Sequence, residues 1–300
     1  MFDSYKHFLE TPGYHKIIGE DYLIVEFKCP IKEELFDAWS ECHSIVYVLN
    51  GQKKWITPTN EYLVKEDQSI FVRKGAFKNQ QYFEQSFCVL MFFMKDDFIN
   101  RCMESDIGKE MSVLQKVEHP DFIYRITLNE SLRVLYHSFF SYLKQPHKTP
   151  QKIIELKFRE MLMNICLDPD NKEIKNVLYT LAKNSGGTIE QVMEEQYVYN
   201  LKLDDYARLC GKSTSSFKRD FKKAFNTSPG KWLLTKRLNL ARELILTTDF
   251  TMQQICYDCG FESDSHFIRS FKKEYGITPN NWRKDKIKAV RLHNEENKIH

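Results

Sequence analysis

The 300-residue sequence predicts an α+β chain in two parts. The first is a small antiparallel β-barrel with helices behind it, and the second is an all-α region in which a helix-turn-helix occurs twice, joined by a linker helix. Three observations carry that prediction. Short runs rich in Val, Ile, Phe and Tyr, separated by turn signals, fill residues 1–95. From about Asp96 the apolar spacing becomes helical. A pattern that starts at Ser213 starts again at Ser263.

Strands are expected at Tyr22–Phe27, Ser44–Leu49, Lys53–Thr57, Ser69–Arg73 and Phe87–Met94. Asn50-Gly51 is the strongest hairpin cue, because a type I′ turn needs φ > 0 at both central residues. Strands at this spacing predict a small barrel or sandwich. Phe36, Trp39, Tyr47, Trp55, Phe71, Tyr82 and Phe92 are expected mostly in its core, with a ligand pocket as the alternative.

Phe98, Cys102 and Met103 begin the helical part, and His119-Pro120 interrupts it. Leu128–Lys144 then places Leu132, Leu135, Phe139 and Tyr142 on one side. Pro150 opens the next helix at its first turn, where a missing N–H is harmless; its stripe is Ile154, Phe158, Met161, Leu162 and Ile165. These two helices offer more apolar surface than a small barrel needs to cover. Asp168-Pro169 ends the second one. A short helix is expected at Ile174–Ala182, and Asn184-Ser185-Gly186-Gly187 reads as flexible. The expected division is residues 1–167, a linker at 168–187, a helical domain at 188–288 that Ile189–Tyr197 leads, and a polar tail at 289–300.

The repeat is the most informative feature. Ser213, Phe217, Arg219, Phe221, Lys222, Lys223, Phe225, Ser228, Pro229 and Trp232 recur in the same register as Ser263, Phe267, Arg269, Phe271, Lys272, Lys273, Tyr275, Thr278, Pro279 and Trp282. In the first copy Phe217, Phe221, Ala224 and Phe225 form one buried stripe, and the opposite face carries Ser215, Lys218, Arg219 and Lys222. Ser265, Ile268, Arg269 and Lys272 occupy that face in the second copy. Ahead of each copy, Leu203, Tyr206, Ala207 and Cys210, then Met252, Ile255, Cys256 and Cys259, show helical spacing, and Thr251 with Gln254 makes a capping box. Between the copies, Leu234, Leu238, Ala241 and Ile245 mark a continuous helix over Pro229–Leu246. Helix, turn with Gly, helix with a basic face is a helix-turn-helix, and a Ser/Arg/Lys face fits the DNA major groove, where Arg bonds guanine O6 and N7 together.

Charge follows the same division. Residues 201–300 hold 20 Lys+Arg against 12 Asp+Glu, and the rest of the chain holds 24 against 29. Basic charge is therefore concentrated on the repeats, as contact with phosphate requires. No stretch approaches the roughly 18 apolar residues of a membrane span and the N-terminus has no signal pattern, so a cytoplasmic location is expected. Cys256 and Cys259 have no second C-x-x-C to complete a zinc site, and both fall on an apolar stripe.

Ile255, Gly260, Phe261, Ser263, Ser265, Phe267, Arg269, Phe271 and Lys272 resemble the signature of the AraC/XylS family of bacterial transcription regulators, as do Arg237, Leu238 and Ala241 between the repeats. Cys256 stands where the family usually has Ala. The resemblance covers about residues 188–288 and implies a sequence-specific regulator, an activator, that binds double-stranded DNA and RNA polymerase. Ser44–Gly51, Asp67 and Lys74-Gly75 resemble the cupin-type barrel that many family members carry in front, in a layout similar to regulators of type III secretion. This implies an effector or partner protein at that domain.

Residue roles follow. Ser215, Lys218, Arg219, Ser265, His266 and Arg269 are expected at base edges, and Lys222, Lys223, Arg237, Lys272 and Lys273 at phosphates. An ion pair with Asp220 or Asp264 is the competing role for the two arginines. In the family the paired helices behind the barrel form a dimer interface, which implies a homodimer through Phe158, Met161, Leu162 and Ile165; packing within one subunit is the alternative. A stiff rod between the repeats suits two half-sites about one DNA turn apart. Metal cupins ligate through an H-x-H pair, a Glu and a further His, but His43 stands alone and His7, His15 and His119 lack partners at ligand spacing. With no nucleophile elbow, phosphate loop or H-E-x-x-H, no catalytic residue, metal or cofactor is expected. The competing functions are a cupin-type enzyme fused to a helical domain and a protein-interaction adaptor.

Overall fold

The computed structural model describes residues 1–29, 31–83, 86–104, 121–145, 149–183 and 187–285. The chain divides into two compact units, residues 1–191 with 208–211 and residues 192–207 with 212–300.

Strands that are apolar at nearly every position need cover on both faces, and the runs SIVYVL and VLMFFM set that requirement for the first unit. Its elements are β1 (Phe2–Asp3), α1 (Ser4–Glu10), β2 (His15–Ile18), β3 (Tyr22–Lys28), β4 (Leu35–Ser40), β5 (His43–Asn50), β6 (Gln52–Ile56), β7 (Glu61–Lys65), β8 (Ser69–Val72), β9 (Gly75–Gln81), β10 (Cys88–Met94), α2 (Asp96–Cys102), β11 (Ile123–Ile126), α3 (Glu130–Leu143), α4 (Gln151–Leu167) and α5 (Lys172–Lys183). One sheet has the order β11-β8-β5-β10-β3-β2 and the other β1-β4-β9-β6-β7. Only the β1–β4 pair is parallel among the described strands.

The two-residue alternation sends Leu23, Val25, Val46, Val89 and Phe93 against Ala38, Trp55, Val64 and Phe77 of the five-stranded sheet. Tyr22, Ile24, Tyr47, Leu90 and Phe92 face the opposite way, into a second core completed by α2, α3, α4 and α5. The result is three layers: sheet, sheet, helices.

Four expectations need correction. The sheets face each other as a sandwich and do not close into a barrel; β2, β11, β1 and β7 remain edges. Asn50-Gly51 is no hairpin, because β5 belongs to one sheet and β6 to the other. Gly51 still needs its positive φ of 78°, and a Cβ there would lie 2.8 Å from the Ser86 carbonyl oxygen. Asn50 Nδ2 donates to that same oxygen at 2.9 Å, so the dipeptide pins a chain crossover between the sheets.

The third correction concerns Phe158, Met161, Leu162 and Ile165, which were expected at a dimer interface. All four are fully buried inside the subunit against the six-stranded sheet. Phe158 alone packs its ring 4.7 Å from Phe98, 5.5 Å from Phe92 and 5.7 Å from Tyr22. Fourth, most of the expected linker is structural: α5 buries Ile174, Val177 and Leu178 in the same core. Of the remaining expectations, the His119-Pro120 break, residues 184–186 and the tail at 289–300 lie outside the described residues.

The second unit follows with α6 (Ile189–Gln196), which spans the division, then α7 (Leu203–Leu209), α8 (Thr214–Phe225), α9 (Pro229–Thr247), α10 (Met252–Asp258), α11 (Asp264–Tyr275) and a last turn of helix at 279–285. Among the described residues no helix is long and apolar enough to cross a membrane.

Candidate nucleic-acid interface

Both repeats build their outer helix by the same local devices. Ser213 and Ser263 precede α8 and α11 in extended backbone, and their hydroxyls accept the backbone N–H of Ser216 and His266, each at 3.3 Å. At the other end Asn226 (φ 50°) and Gly276 (φ 82°) turn left-handed, and their N–H groups close on the carbonyls of Lys222 and Lys272. The aromatic undersides coincide as well. Phe217–Phe221 and Phe267–Phe271 have centroids 5.8 Å apart in both copies. Phe221 meets Trp232 edge-on at 6.2 Å, and Phe271 meets Trp282 edge-on at 5.9 Å. Each underside is a fully buried pair of phenyl rings, so the opposite face of each helix turns to solvent.

One residue departs from the expected stripe. Ala224 is exposed, because Trp232 packs over Phe221 and Phe225 and leaves position 224, about 100° further round the helix, outside that contact.

Helix α9 ties the repeats together. Ser228 caps it with Pro229 in its first turn, and Leu238, Ala241 and Ile245 are buried along it. They pack against Ile255, Cys256, Cys259, Phe261, Phe267 and Phe271 of the second repeat. The capping box between Thr251 and Gln254 forms as expected at the start of α10. Gly260, in the turn before α11, has φ 76°, and a Cβ there would come within 2.5 Å of the Val198 carbonyl oxygen. Cys256 and Cys259 are buried and form no disulfide with each other; burial first and Asp264 second push Cys256 up to about 12.

The expected base-facing residues Ser215, Lys218, Arg219, Ser265, His266 and Arg269 are all exposed. So are Lys222, Lys223, Lys272 and Lys273. Ser265, Ile268, Arg269, Lys272 and Lys273 line a shallow open groove along α11. Arg237 is placed otherwise than expected. Its Nε donates to the Tyr197 carbonyl at 2.7 Å and its Nη2 to the Tyr199 carbonyl at 2.8 Å, so the fork holds the segment after α6 onto α9 and is not offered to phosphate. Arg219 makes the competing contact as well as facing outward: its Nε lies 3.3 Å from Asp220 Oδ1. Ser216 and Lys212, which bond that same carboxylate, were not singled out from the sequence. The available signal was spacing, since Ser216 stands four residues before Asp220 and three before Arg219.

In the first unit His43 is fully enclosed, and both ring nitrogens are engaged. Nδ1 accepts the Lys74 backbone N–H at 3.2 Å, which makes Nε2 the donor to Asp96 Oδ1 at 3.2 Å. No group of three or more His, Cys, Asp or Glu side chains that could hold a metal occurs among the described residues.

Comparison with known proteins agrees with this geometry over both units. Residues 43–177 match the ExsA N-terminal regulatory domain and residues 206–285 match a helix-turn-helix domain family. The HTH-type transcriptional regulator ExsA of Pseudomonas aeruginosa is 24% identical over 235 residues, covering 71% of this chain and 84% of that protein. The virulence regulon transcriptional activator VirF of Yersinia enterocolitica is 23% identical over 225 residues, covering 73% of this chain and 81% of that protein. Among solved structures, an apo variant of ToxT from Vibrio cholerae is 12% identical with a TM-score of 0.44, covering 89% of this chain and 98% of that one. The curated relatives are regulators of transcription and not enzymes. With one match on the strand-rich unit and the other on the doubled helix-turn-helix, the chain belongs to the AraC/XylS family of DNA-binding transcriptional regulators.

Proposed function

We propose that one subunit reads two short half-sites about one helical turn apart, with α8 and α11 in successive major grooves on one face of the duplex. The observation that carries this reading is the pair of exposed basic rows on two helices with matching caps and undersides. Ser215, Lys218 and Arg219 meet base edges in one groove, and Ser265, His266 and Arg269 in the next. Lys222, Lys223, Lys272 and Lys273 contact phosphate, which supplies affinity without sequence choice. Helix α9 has 19 residues and rises about 28 Å at 1.5 Å each, so grooves about 34 Å apart favour bending of the DNA toward the protein.

In the same proposal residues 1–183 form the regulatory domain, where a small molecule or partner protein acts, and RNA polymerase is the downstream partner. Activation is the favoured sign, since VirF is named an activator. Self-association uses the outer side of α4. There Ile153 (41% exposed), Leu156 (61%) and Leu167 (48%) follow heptad spacing with Met163, a stripe that suits a second copy of the same helix.

Genome-wide mapping of bound DNA identifies the operator, and footprinting on it measures the half-site spacing. Arg269→Ala is expected to cost about 1–3 kcal/mol and to relax the preference at one base pair. Equal weakening on operator and random DNA contradicts base reading.

A further inference from the structure

The two outer helices retain the same arginine but hold it differently. In the first repeat, Arg219 Nε donates to Asp220 Oδ1 at 3.3 Å and Nη2 donates to Ser216 Oγ at 3.2 Å. The Ser216 hydroxyl donates to Asp220 Oδ2 at 3.4 Å, and Lys212 Nζ reaches that oxygen at 3.1 Å. Three side chains thus converge on one carboxylate. Contact with Lys212 first, then Arg219, holds that carboxyl below its ordinary range, so it stays ionised.

At the matching places of the second repeat stand Glu262, His266 and Ser270. None of the three bracing residues is kept. Glu262 accepts from Asn200 instead, at 2.9 Å, and among the described residues Arg269 has no hydrogen bond or ion pair. Identical reading groups have therefore been given opposite support.

This difference has a physical consequence. A free arginine side chain loses rotamer freedom when it is fixed, and a group held in place beforehand is spared much of that loss on binding. The brace engages Nε and one hydrogen of Nη2. It leaves the Nη1 hydrogens and the second Nη2 hydrogen, the edge that can meet guanine O6 and N7 together. A braced fork also discriminates by direction. Turning it to a different base means breaking contacts with Asp220 and Ser216, whereas a free fork can follow whatever acceptor is offered.

We propose that Asp220, with Ser216 and Lys212, is a positioning device that makes the first repeat the discriminating reader of the operator, while the unbraced Arg269 reads its half-site more permissively. This rests on Arg219 and Arg269 being base readers, as proposed above.

The test selects bound duplexes from a random-sequence library with the full-length chain, comparing wild type, Asp220→Ser and Arg219→Ala at one salt concentration. Melting curves confirm folding, and Asp220→Asn serves as a variant of unchanged shape. Wild type is expected to prefer guanine at one position of the first half-site about tenfold more strongly than at the equivalent position of the second. Asp220→Ser is expected to lower the first preference to the level of the second, while affinity for random DNA stays level or rises as a negative charge leaves. If Arg219→Ala flattens the profile and Asp220→Ser does not, base reading stands and the brace is overturned. If Arg219→Ala leaves the profile unchanged, base reading itself fails. A change at a different base pair in Asp220→Ser would mean that the carboxylate reads a base directly, which also overturns the brace.

Discussion

His43 shows how a single side chain sets the response of the first unit to acid. Burial lowers its pKa to about 4, and the Asp96 hydrogen bond only partly offsets this, with Lys74 and Arg73 nearby adding to the lowering. The unfolded chain takes up this proton near pH 6.5, whereas the folded chain resists it until about 4. Stability is therefore expected to fall as pH drops from 6.5 to 4, by at most roughly 3 kcal/mol. Burial works to raise Asp96, but His43 and Lys74 outweigh it and hold the carboxyl well below the ordinary range, so its contribution is lost only at still lower pH. Urea midpoints between pH 7 and 4.5 measure the effect, and His43→Gln should flatten it. An unchanged slope in that variant would assign the pH response to other groups. From the sequence His43 was an isolated histidine; the Asp96 that fixes its tautomer lies 53 residues away and no local pattern links the two.

At the scale of elements, α4 separates two kinds of apolar residue that a helical stripe alone does not distinguish. Phe158→Ala is expected to cost about 3–5 kcal/mol of stability, because three aromatic rings lose their neighbour. Leu156→Asp should leave the melting temperature nearly unchanged and shift sedimentation toward monomer. A monomeric wild type at high micromolar concentration would remove the proposed dimer. The sequence showed the buried stripe of α4 correctly, since period 3.6 reports which residues share a side, but periodicity does not say whether the covering surface belongs to the same chain. Strands β3, β5, β6, β8 and β10 were legible from β-branched and aromatic runs. Strands β4, β7 and β9 were not, because LFDAWS, EYLVK and GAFKNQQ mix polar residues into the pattern of strands apolar on one face only. Helices α8 to α11 were legible, since caps, repeat and every stripe residue but Ala224 agreed.

For the whole molecule, the distribution of charge makes DNA binding a salt-sensitive process. Each lysine on a phosphate adds roughly 0.9 to the slope of log affinity against log salt. Lys272→Ala is therefore expected to reduce that slope by about 1. Arg237→Met should leave the slope alone and lower the melting temperature, because two backbone carbonyls lose their donor. A reduced slope in Arg237→Met would return that residue to the phosphate contacts. The six-stranded sheet has a consequence of another kind. It is the common wall of two cores, so neither side can be peeled away: strands without α3, α4 and α5 would show water a greasy plane of Tyr22, Ile24, Leu90 and Phe92, and those helices alone would have nothing to lie on. Residues 1–183 should therefore melt as one body, in a single calorimetric peak, and trimming this region back to its strands should yield aggregate rather than a smaller working domain.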